Sequence, residues 1–182
     1  MADLLIHGGH PLSGTIHPSG NKNSVLPLLC ASLLADEPVT LTNVPDITDV
    51  AKITDFLRSI GVKIDWDKEK GEIHMSGQAV TAETAGDWAL PSGIRSAVLL
   101  IAPLLYRLGE VRLETDSNGC SLGMREIDPH VHVFRKFGVE VSGFSPTTFS
   151  LGHKPDACDI WLEYSSVTTT ENFLMLAAVT EG

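Results

Sequence analysis

A segment that begins with serine and continues as an apolar helix recurs three times in this chain, and this repeat constrains the fold more than any other feature. The copies begin at Ser19, Ser92 and Ser165, so consecutive copies are 73 residues apart. In this register Lys22 aligns with Arg95, and the apolar positions of the following helices also coincide. Self-similarity of this kind predicts one supersecondary unit copied in tandem.

Each copy predicts a loop and helix, a strand, a second helix and two more strands. The first copy predicts a helix after Lys22 and elements at 39–41, 49–59, 62–64 and 72–74, and the second predicts elements at 97–108, 111–113, 129–137, 140–141 and 148–150. Gly61 and Gly138 stand at equivalent helix ends, where glycine commonly closes a helix. Pro103 falls inside a predicted helix and indicates a kink. Alternating helices and strands with short connections predict an α/β domain of packed layers.

Two differences between the copies are informative. The separation from Leu41 to Gly61 is 20 residues, whereas that from Leu113 to Gly138 is 25, so the second copy carries five extra residues. They fall in the loop that holds Cys120, and a loop lengthened in one copy only is a functional candidate. The third copy is truncated after its first helix, at Gly182. We therefore expect a fragment of a longer protein, or a half that needs a partner.

The lengthened loop reads Asp116-Ser-Asn-Gly-Cys-Ser-Leu-Gly-Met-Arg125. A nearby guanidinium lowers the pKa of a thiol and attracts anions, so Cys120 and Arg125 together favour chemistry on an anionic substrate. The alternative is that Cys120 is a small apolar residue that closes a surface loop, since cysteine is often buried.

Three cations stand at or near the starts of predicted helices: Lys22, Arg95 and Arg125. Free N–H groups and partial positive charge at a helix start attract anions, and an added cation completes such a pocket. Asn23 adds an amide beside Lys22. A single helix-start charge is usually just solvated, but equivalent positions in two copies favour a shared phosphate site at one edge of the domain.

Asp128 and His130 follow at the next helix start. Asp128 is either an N-cap, the commoner role, or a site residue. The pair His130 and His132 lacks further ligands at a useful spacing, so we expect no metal site. Cys30, in an apolar helix, and Cys158, near a predicted strand start, are interpreted as packing residues.

The formal charge of −10 excludes a general binder of nucleic acids or anionic membranes, because both need a basic face. The three cysteines are odd in number and far apart, which predicts a reducing compartment. The N-terminus lacks a signal-peptide pattern, and the longest apolar run, at 97–106, is too short to span a bilayer. We therefore expect a cytoplasmic protein.

Three tracts carry a family resemblance: Gly20-Asn-Lys-Asn-Ser-Val-Leu-Pro27, Leu34-Ala-Asp-Glu-Pro-Val-Thr-Leu-Thr-Asn-Val-Pro-Asp46 and Gly119-Cys-Ser-Leu-Gly-Met-Arg-Glu-Ile-Asp-Pro-His130. Together they resemble the UDP-N-acetylglucosamine enolpyruvyl transferase family over about residues 12–182, which is less than half of the usual family chain. The resemblance implies two inside-out α/β domains, each of three βαβαββ-like repeats, with the active site between them. Residues 1–18 would then be a strand of the second domain, and 19–182 an incomplete first domain.

The resemblance also implies a reaction. The enolpyruvyl group of phosphoenolpyruvate moves to the 3-hydroxyl of UDP-N-acetylglucosamine by addition and elimination, and phosphate is released without a metal or organic cofactor. This is the first committed step of peptidoglycan precursor synthesis. Since further family residues would lie beyond Gly182, the missing half would be needed to complete the cleft, and we expect this chain alone to be almost inactive.

The family roles transfer to particular residues. By resemblance, Cys120 is the loop cysteine that forms an adduct with phosphoenolpyruvate and reacts with fosfomycin, and it acts as an acid or in product release. Lys22 and Arg125 would bind the phosphate and carboxylate of phosphoenolpyruvate. Contacts to the UDP-sugar would come from Asn23, Arg95, Asp128, Ser166, Val167 and Thr168, with His130 in support.

Three positions depart from the family pattern: Tyr164 replaces a lysine, Thr168 a glycine and Glu126 a proline. All three concern the nucleotide side, so the acceptor is less firmly predicted than the donor. The alternatives are a shikimate-type enolpyruvyl transferase, against which the cysteine loop argues, and a noncatalytic UDP-sugar-binding module. RNA 3′-phosphate cyclase chemistry is disfavoured by the acidic charge.

Overall fold

The computed structural model describes residues 3–86, 88–91, 94–113, 127–143, 146–163 and 165–182. The first copy of the repeat begins with helix α1 (Lys22–Ala31), which a short 3-10 helix (Ser32–Leu34) extends. It continues with strand β1 (Val39–Leu41), helix α2 (Thr48–Ser59) and strands β2 (Lys63–Asp67) and β3 (Glu72–Ser76). This is the predicted order of elements. A one-turn helix, α3 (Ala82–Ala85), leads to the second copy.

The second copy repeats the same order. A 3-10 helix (Arg95–Leu100) runs into helix α4 (Ile101–Leu108), and strand β4 (Glu110–Leu113) follows. Helix α5 (Asp128–Lys136) precedes strands β5 (Glu140–Ser142) and β6 (Thr147–Ser150). The third copy contributes helix α6 (Val167–Ala177), and the described residues after it contain no strand.

Each of the first two copies forms its own three-stranded antiparallel sheet. The orders are β1-β3-β2 and β4-β6-β5, so the last strand of each copy is central in both sheets. Leu41 pairs with Ile73 in the first sheet, and the equivalent Leu113 pairs with Thr147 in the second. The matching topology confirms the tandem repeat.

Helices occupy the centre of the domain and the sheets lie outside them. Helices α1, α4 and α6 and the 3-10 helix at 95–100 pack against one another, and Leu29, Leu100 and Leu176 are fully buried there. Side chains along a strand point alternately to its two faces, so every second residue of each sheet faces the helices. Ile73 and Phe149, each on the central strand of its sheet, are fully buried. This arrangement confirms the inside-out α/β fold class.

Helices α2 and α5 end in the same way. Gly61 and Gly138 have φ angles of 97° and 82°, in the left-handed region that favours glycine. The next residue in each case donates its N–H to a carbonyl five residues earlier: Val62 to Leu57 and Val139 to Phe134, both at 3.0 Å. This is the Schellman arrangement, and it confirms both predicted helix ends.

The first helix of the second copy differs from the prediction. One α-helix was predicted from residue 97, but residues 95–100 form a 3-10 helix and α geometry begins only at Ile101. Pro103 has no N–H to donate to the carbonyl of Leu99, and it is tolerated because it lies in the first turn of α4. The proline therefore marks the change from 3-10 to α geometry.

Residues 3–18 lie on the outside, and large apolar side chains of this segment are exposed: Leu4, Leu5, Ile6, Leu12 and Ile16. No strand is assigned in this segment. The assignment of residues 1–18 to a second domain stays a prediction. Within the described ranges, every helix is too short or too polar to cross a membrane.

Candidate active site

The first helical residues of all three copies line one cleft of about 450 Å³. The first copy contributes Lys22, Asn23, Leu26, Pro27 and Asp49, the second Arg95, Ser96 and Leu99, and the third Ser165, Ser166, Val167, Thr168 and Glu171. The predicted convergence of the helix starts at one edge of the domain is therefore present in the structure.

Lys22, Arg95 and Thr168 occupy equivalent positions under the 73-residue spacing, and all three reach this cleft. Two cations and a hydroxyl thus stand beside the starts of three central helices. Helix starts have N–H groups without intrahelical partners, which adds to the attraction for an anion. The lining also holds the carboxylates of Asp49 and Glu171, so the attraction for an anion depends on where Lys22 and Arg95 are placed and not on an excess of positive charge.

Lys22 forms an ion pair across the cleft. Its Nζ lies 2.5 Å from Asp49 Oδ2, which joins the start of α1 to the start of α2. The Lys22 side chain is 54% exposed and that of Asp49 is 24% exposed. An ammonium group has three donors, so Asp49 leaves others available for a ligand. The start of α1 is further fixed by Asn21, whose Oδ1 accepts from the N–H of Asn23 at 2.7 Å.

His130, on α5, is buried beside the third copy. Its Nδ1 lies 3.0 Å from Asn172 Nδ2, and its Nε2 lies 3.4 Å from Thr168 Oγ1. Burial, and secondly the charge of Arg95, lower the pKa of His130 from 6.5 to about 4. The imidazole is therefore neutral near pH 7 and connects α5 to a residue of the cleft.

The start of α6 is capped by Ser166. Its Oγ accepts from the N–H of Thr169 at 3.3 Å and from Thr169 Oγ1 at 2.9 Å. The cap holds Val167, which is exposed, and Thr168 at the cleft. Glu171 lies one turn further along, and burial raises the pKa of its carboxyl group.

The remaining predicted residues do not join this group. Asp128 is exposed and is absent from the residues that line the cleft. It is also the first residue of α5, and Ile127 holds the N-cap position, so the N-cap interpretation of Asp128 was wrong. Cys120 and Arg125 lie outside the described residues, as do Glu126 and Tyr164.

Other predicted roles can be compared with the described part of the chain. It contains no cluster of three or more His, Cys, Asp or Glu side chains suited to a metal. Cys30 and Cys158 are free thiols. Cys30 is fully buried in α1, whereas Cys158 is half-buried and lies in a segment without a strand, so its predicted strand start was wrong.

Sequence reasoning missed three residues here: Asp49, Glu171 and Asn172. Asp49 was interpreted only as a helix start, because nothing local indicates that α2 packs beside α1. Asn172 could have been noticed, since the equivalent residues of the other copies are Leu26 and Leu99.

Comparison with known families identifies the family to which this chain belongs. The family model described as EPSP synthase (3-phosphoshikimate 1-carboxyvinyltransferase) matches residues 6–182. The chain belongs to the EPSP synthase family. The matched residues include the starts of all three helices that line the cleft.

Curated relatives of this chain include proteins named UDP-N-acetylglucosamine 1-carboxyvinyltransferase. A UDP-N-acetylglucosamine 1-carboxyvinyltransferase of Bradyrhizobium diazoefficiens is 39% identical over 98% of this chain. One of Nitratidesulfovibrio vulgaris is 35% identical over the whole chain. These names confirm the resemblance drawn from the motifs. The chain spans only 40% and 42% of the length of these two relatives.

Solved structures of the family share the fold. The enolpyruvyl transferase NikO from Streptomyces tendae superposes with a TM-score of 0.73 at 24% identity, covering 97% of this chain and 41% of NikO. EPSP synthase from Acinetobacter baumannii superposes with a TM-score of 0.72 at 17% identity, covering 93% and 39% of the two chains. At these identities the likeness supports the fold alone.

Proposed function

We propose that this chain is part of an enolpyruvyl transferase that acts on phosphoenolpyruvate and UDP-N-acetylglucosamine and releases phosphate. The observation that carries the proposal is the 39% identity, over almost the whole chain, to a UDP-N-acetylglucosamine 1-carboxyvinyltransferase. The product would enter peptidoglycan precursor synthesis, and a nucleotide-sugar substrate together with free thiols fits a cytoplasmic location.

The positions of Lys22 and Arg95 at two helix starts support anionic substrates. Phosphoenolpyruvate carries a phosphate and a carboxylate, and the acceptor carries a diphosphate. Lys22 and Arg95 stand at equivalent helix starts on this cleft and would neutralise part of that charge. Asp49 keeps the Lys22 ammonium at the cleft, where it would face the phosphate of the donor.

The reaction makes specific demands on the protein. The acceptor hydroxyl loses its proton as its oxygen adds to the central carbon of phosphoenolpyruvate, and a proton adds to the methylene carbon. The methyl group so formed then loses a proton as phosphate leaves, which restores the double bond. Each step changes charge on oxygen atoms, and fixed cations stabilise such changes best. We assign Lys22 and Arg125 to the donor, and Cys120 to the acid or release step as a residue of the lengthened loop.

The acceptor side is assigned by the same reasoning. Asn23, Arg95, Ser166, Val167 and Thr168 line the cleft and would contact the UDP-sugar. His130 would support Thr168 from behind. Asp128 is not among the residues that line the cleft, and its contact with the acceptor is proposed from the family resemblance alone.

Turnover should need more polypeptide than these 182 residues, because the chain spans 40% of the length of its relative. The test therefore uses a protein that carries this chain and has the full length of the relatives, called the full-length protein below. Phosphate release from phosphoenolpyruvate is measured with UDP-N-acetylglucosamine and, separately, with shikimate 3-phosphate.

We expect release with the UDP-sugar only, and a product mass equal to the UDP-sugar plus the enolpyruvyl group. The second candidate is a shikimate-type enolpyruvyl transferase, which the description of the matching family model favours. Release with shikimate 3-phosphate alone would establish that candidate and overturn the proposal. Release with neither acceptor, from a folded protein that binds the UDP-sugar, would indicate a noncatalytic binding module.

A further inference from the structure

Asn172 is a fully buried polar residue in the centre of the domain. The equivalent residues in the first two copies, Leu26 and Leu99, are apolar and buried. Its Oδ1 is buried and has no hydrogen-bond partner among the described residues. An unpaired buried acceptor destabilises a fold. The part of Asn172 that explains its presence is therefore the amide nitrogen, which has two hydrogen-bond partners.

The amide orientation of Asn172 follows from its neighbours. Nδ2 lies 3.2 Å from the carbonyl oxygen of Val98, which can only accept a hydrogen bond. The reversed amide would place two oxygens against each other. The same Nδ2 lies 3.0 Å from His130 Nδ1, so the amide donates to both groups. His130 Nδ1 is then an acceptor without a proton.

The proton of the neutral imidazole must then sit on Nε2. This nitrogen lies 3.4 Å from Thr168 Oγ1, a long contact in which Nε2–H donates to the hydroxyl oxygen. Thr168 is half-buried and lines the cleft. With its oxygen already accepting, its own O–H is free to donate towards a ligand.

We propose that Asn172 is a positioning residue that fixes His130 as the Nε2–H tautomer, so that Thr168 presents a hydrogen-bond donor to an oxygen atom of a ligand in the cleft. The donors run in one direction, from Asn172 through His130 to Thr168. The choice of UDP-N-acetylglucosamine as the ligand for testing rests on the proposed function, whereas the direction of the hydrogen bonds does not.

The tautomer is measured by ¹⁵N NMR of the histidine side chains at pH 7, with the His130 signals assigned from their loss in His130→Gln. We expect an unprotonated Nδ1 and a protonated Nε2. Asn172→Asp keeps the size of the side chain but replaces the donor with an acceptor, so it should place a proton on Nδ1. Met175→Leu, an apolar change on the same helix, should leave the signals unchanged.

Two results would overturn the proposal. One is a protonated Nδ1 in the unsubstituted chain, and the other is an Nδ1 that stays unprotonated in Asn172→Asp. Both readouts come from the chain itself, so they decide the direction of the hydrogen bonds whatever the enzyme's substrate proves to be.

The effect on the cleft is measured as affinity of the full-length protein for UDP-N-acetylglucosamine by calorimetry. Thr168→Val should weaken binding by about tenfold, the upper range for one hydrogen bond, and Thr168→Ser should recover most of that loss. Asn172→Leu should weaken binding by a similar factor. The double variant with Thr168→Val should weaken binding no further, because both substitutions remove the same hydrogen-bond donor to the ligand, the Thr168 hydroxyl.

Independent, additive losses in the double variant would overturn the link between Asn172 and Thr168. An equal loss in Met175→Leu would show that Asn172 acts only by packing and would also overturn it. If the unsubstituted protein does not bind UDP-N-acetylglucosamine, the proposed acceptor is wrong, and the NMR result still decides the role of Asn172.

Discussion

Arg107 should contribute more to the stability of the domain than any exposed charge, because it ties the second copy to the first. From α4, its Nε donates to the carbonyl of Leu33 at 2.7 Å and its Nη2 donates to the carbonyl of Ala35 at 2.8 Å. The Arg107 side chain is only 15% exposed. The equivalent residue in the first copy is Leu34, so Arg107→Leu is a substitution that the repeat itself suggests.

The magnitude follows from these two bonds. A hydrogen bond from a charged donor contributes about 1.5–3 kcal/mol, and a buried acceptor left unpaired costs a similar amount. Ala35 is only half-buried, so water can replace part of its bond. We expect Arg107→Leu to lower the free energy of unfolding by about 2–4 kcal/mol. The contact with Asp36 adds little, since it spans 3.6 Å and that carboxylate is 92% exposed.

Urea unfolding of the chain, followed by circular dichroism, measures the effect. Arg58→Leu is the matched control, because Arg58 is 40% exposed and its two contacts with the Ile64 carbonyl are long, at 3.4 Å. Asp36→Asn tests the ion pair and should leave the urea midpoint unchanged. Equal losses in Arg107→Leu and Arg58→Leu, or a loss in Asp36→Asn as large as that in Arg107→Leu, would show that the two backbone hydrogen bonds of Arg107 are not the source of its contribution.

Two further predictions concern stability. A Cβ on Gly20 would lie 1.9 Å from the carbonyl oxygen of Asn43, whereas one on Gly8 would meet nothing within 4 Å. Gly20→Ala should therefore lower the free energy of unfolding by about 1–3 kcal/mol or more, and Gly8→Ala should leave it unchanged. Calorimetric melting of the two variants measures the difference. For His130 the folded pKa of about 4 lies below the ordinary 6.5, so the unfolded chain binds more protons between these values. Stability is then complete above pH 6.5 and falls as the pH is lowered towards 4, by at most about 3 kcal/mol. His130→Gln should flatten the dependence of the urea midpoint on pH over this window, and an unchanged profile would contradict the assignment.

The elements of the repeat were predictable because their signals are local. The apolar spacing of each helix and the glycines at 61 and 138 place most boundaries within a few residues of their positions in the structure. The 3-10 geometry at 95–100 was not predictable in this way. A run of apolar residues fits both helix types, so the sequence of residues 95–100 did not distinguish them.

The candidate site was predictable where the copies agree and not where they differ. Equal spacing brought Lys22 and Arg95 to one cleft, since equivalent positions in packed copies face the same way. The pairing of Lys22 with Asp49 depends on how α1 packs against α2, which no single segment specifies. The roles of Cys120 and Arg125 stay predictions, because they lie outside the described residues.

We propose that the cleft formed by the three helix starts holds the anionic substrates of the full-length protein. The most direct test is phosphate release by the full-length protein, with phosphoenolpyruvate and UDP-N-acetylglucosamine, in Lys22→Met and Arg95→Met. Lys63→Met, an exposed lysine of β2 away from the cleft, is the control. We expect each cleft substitution to lower kcat/KM by about a hundredfold or more, while the control stays at the unsubstituted level. Full activity in both cleft variants, with folding intact, would contradict it.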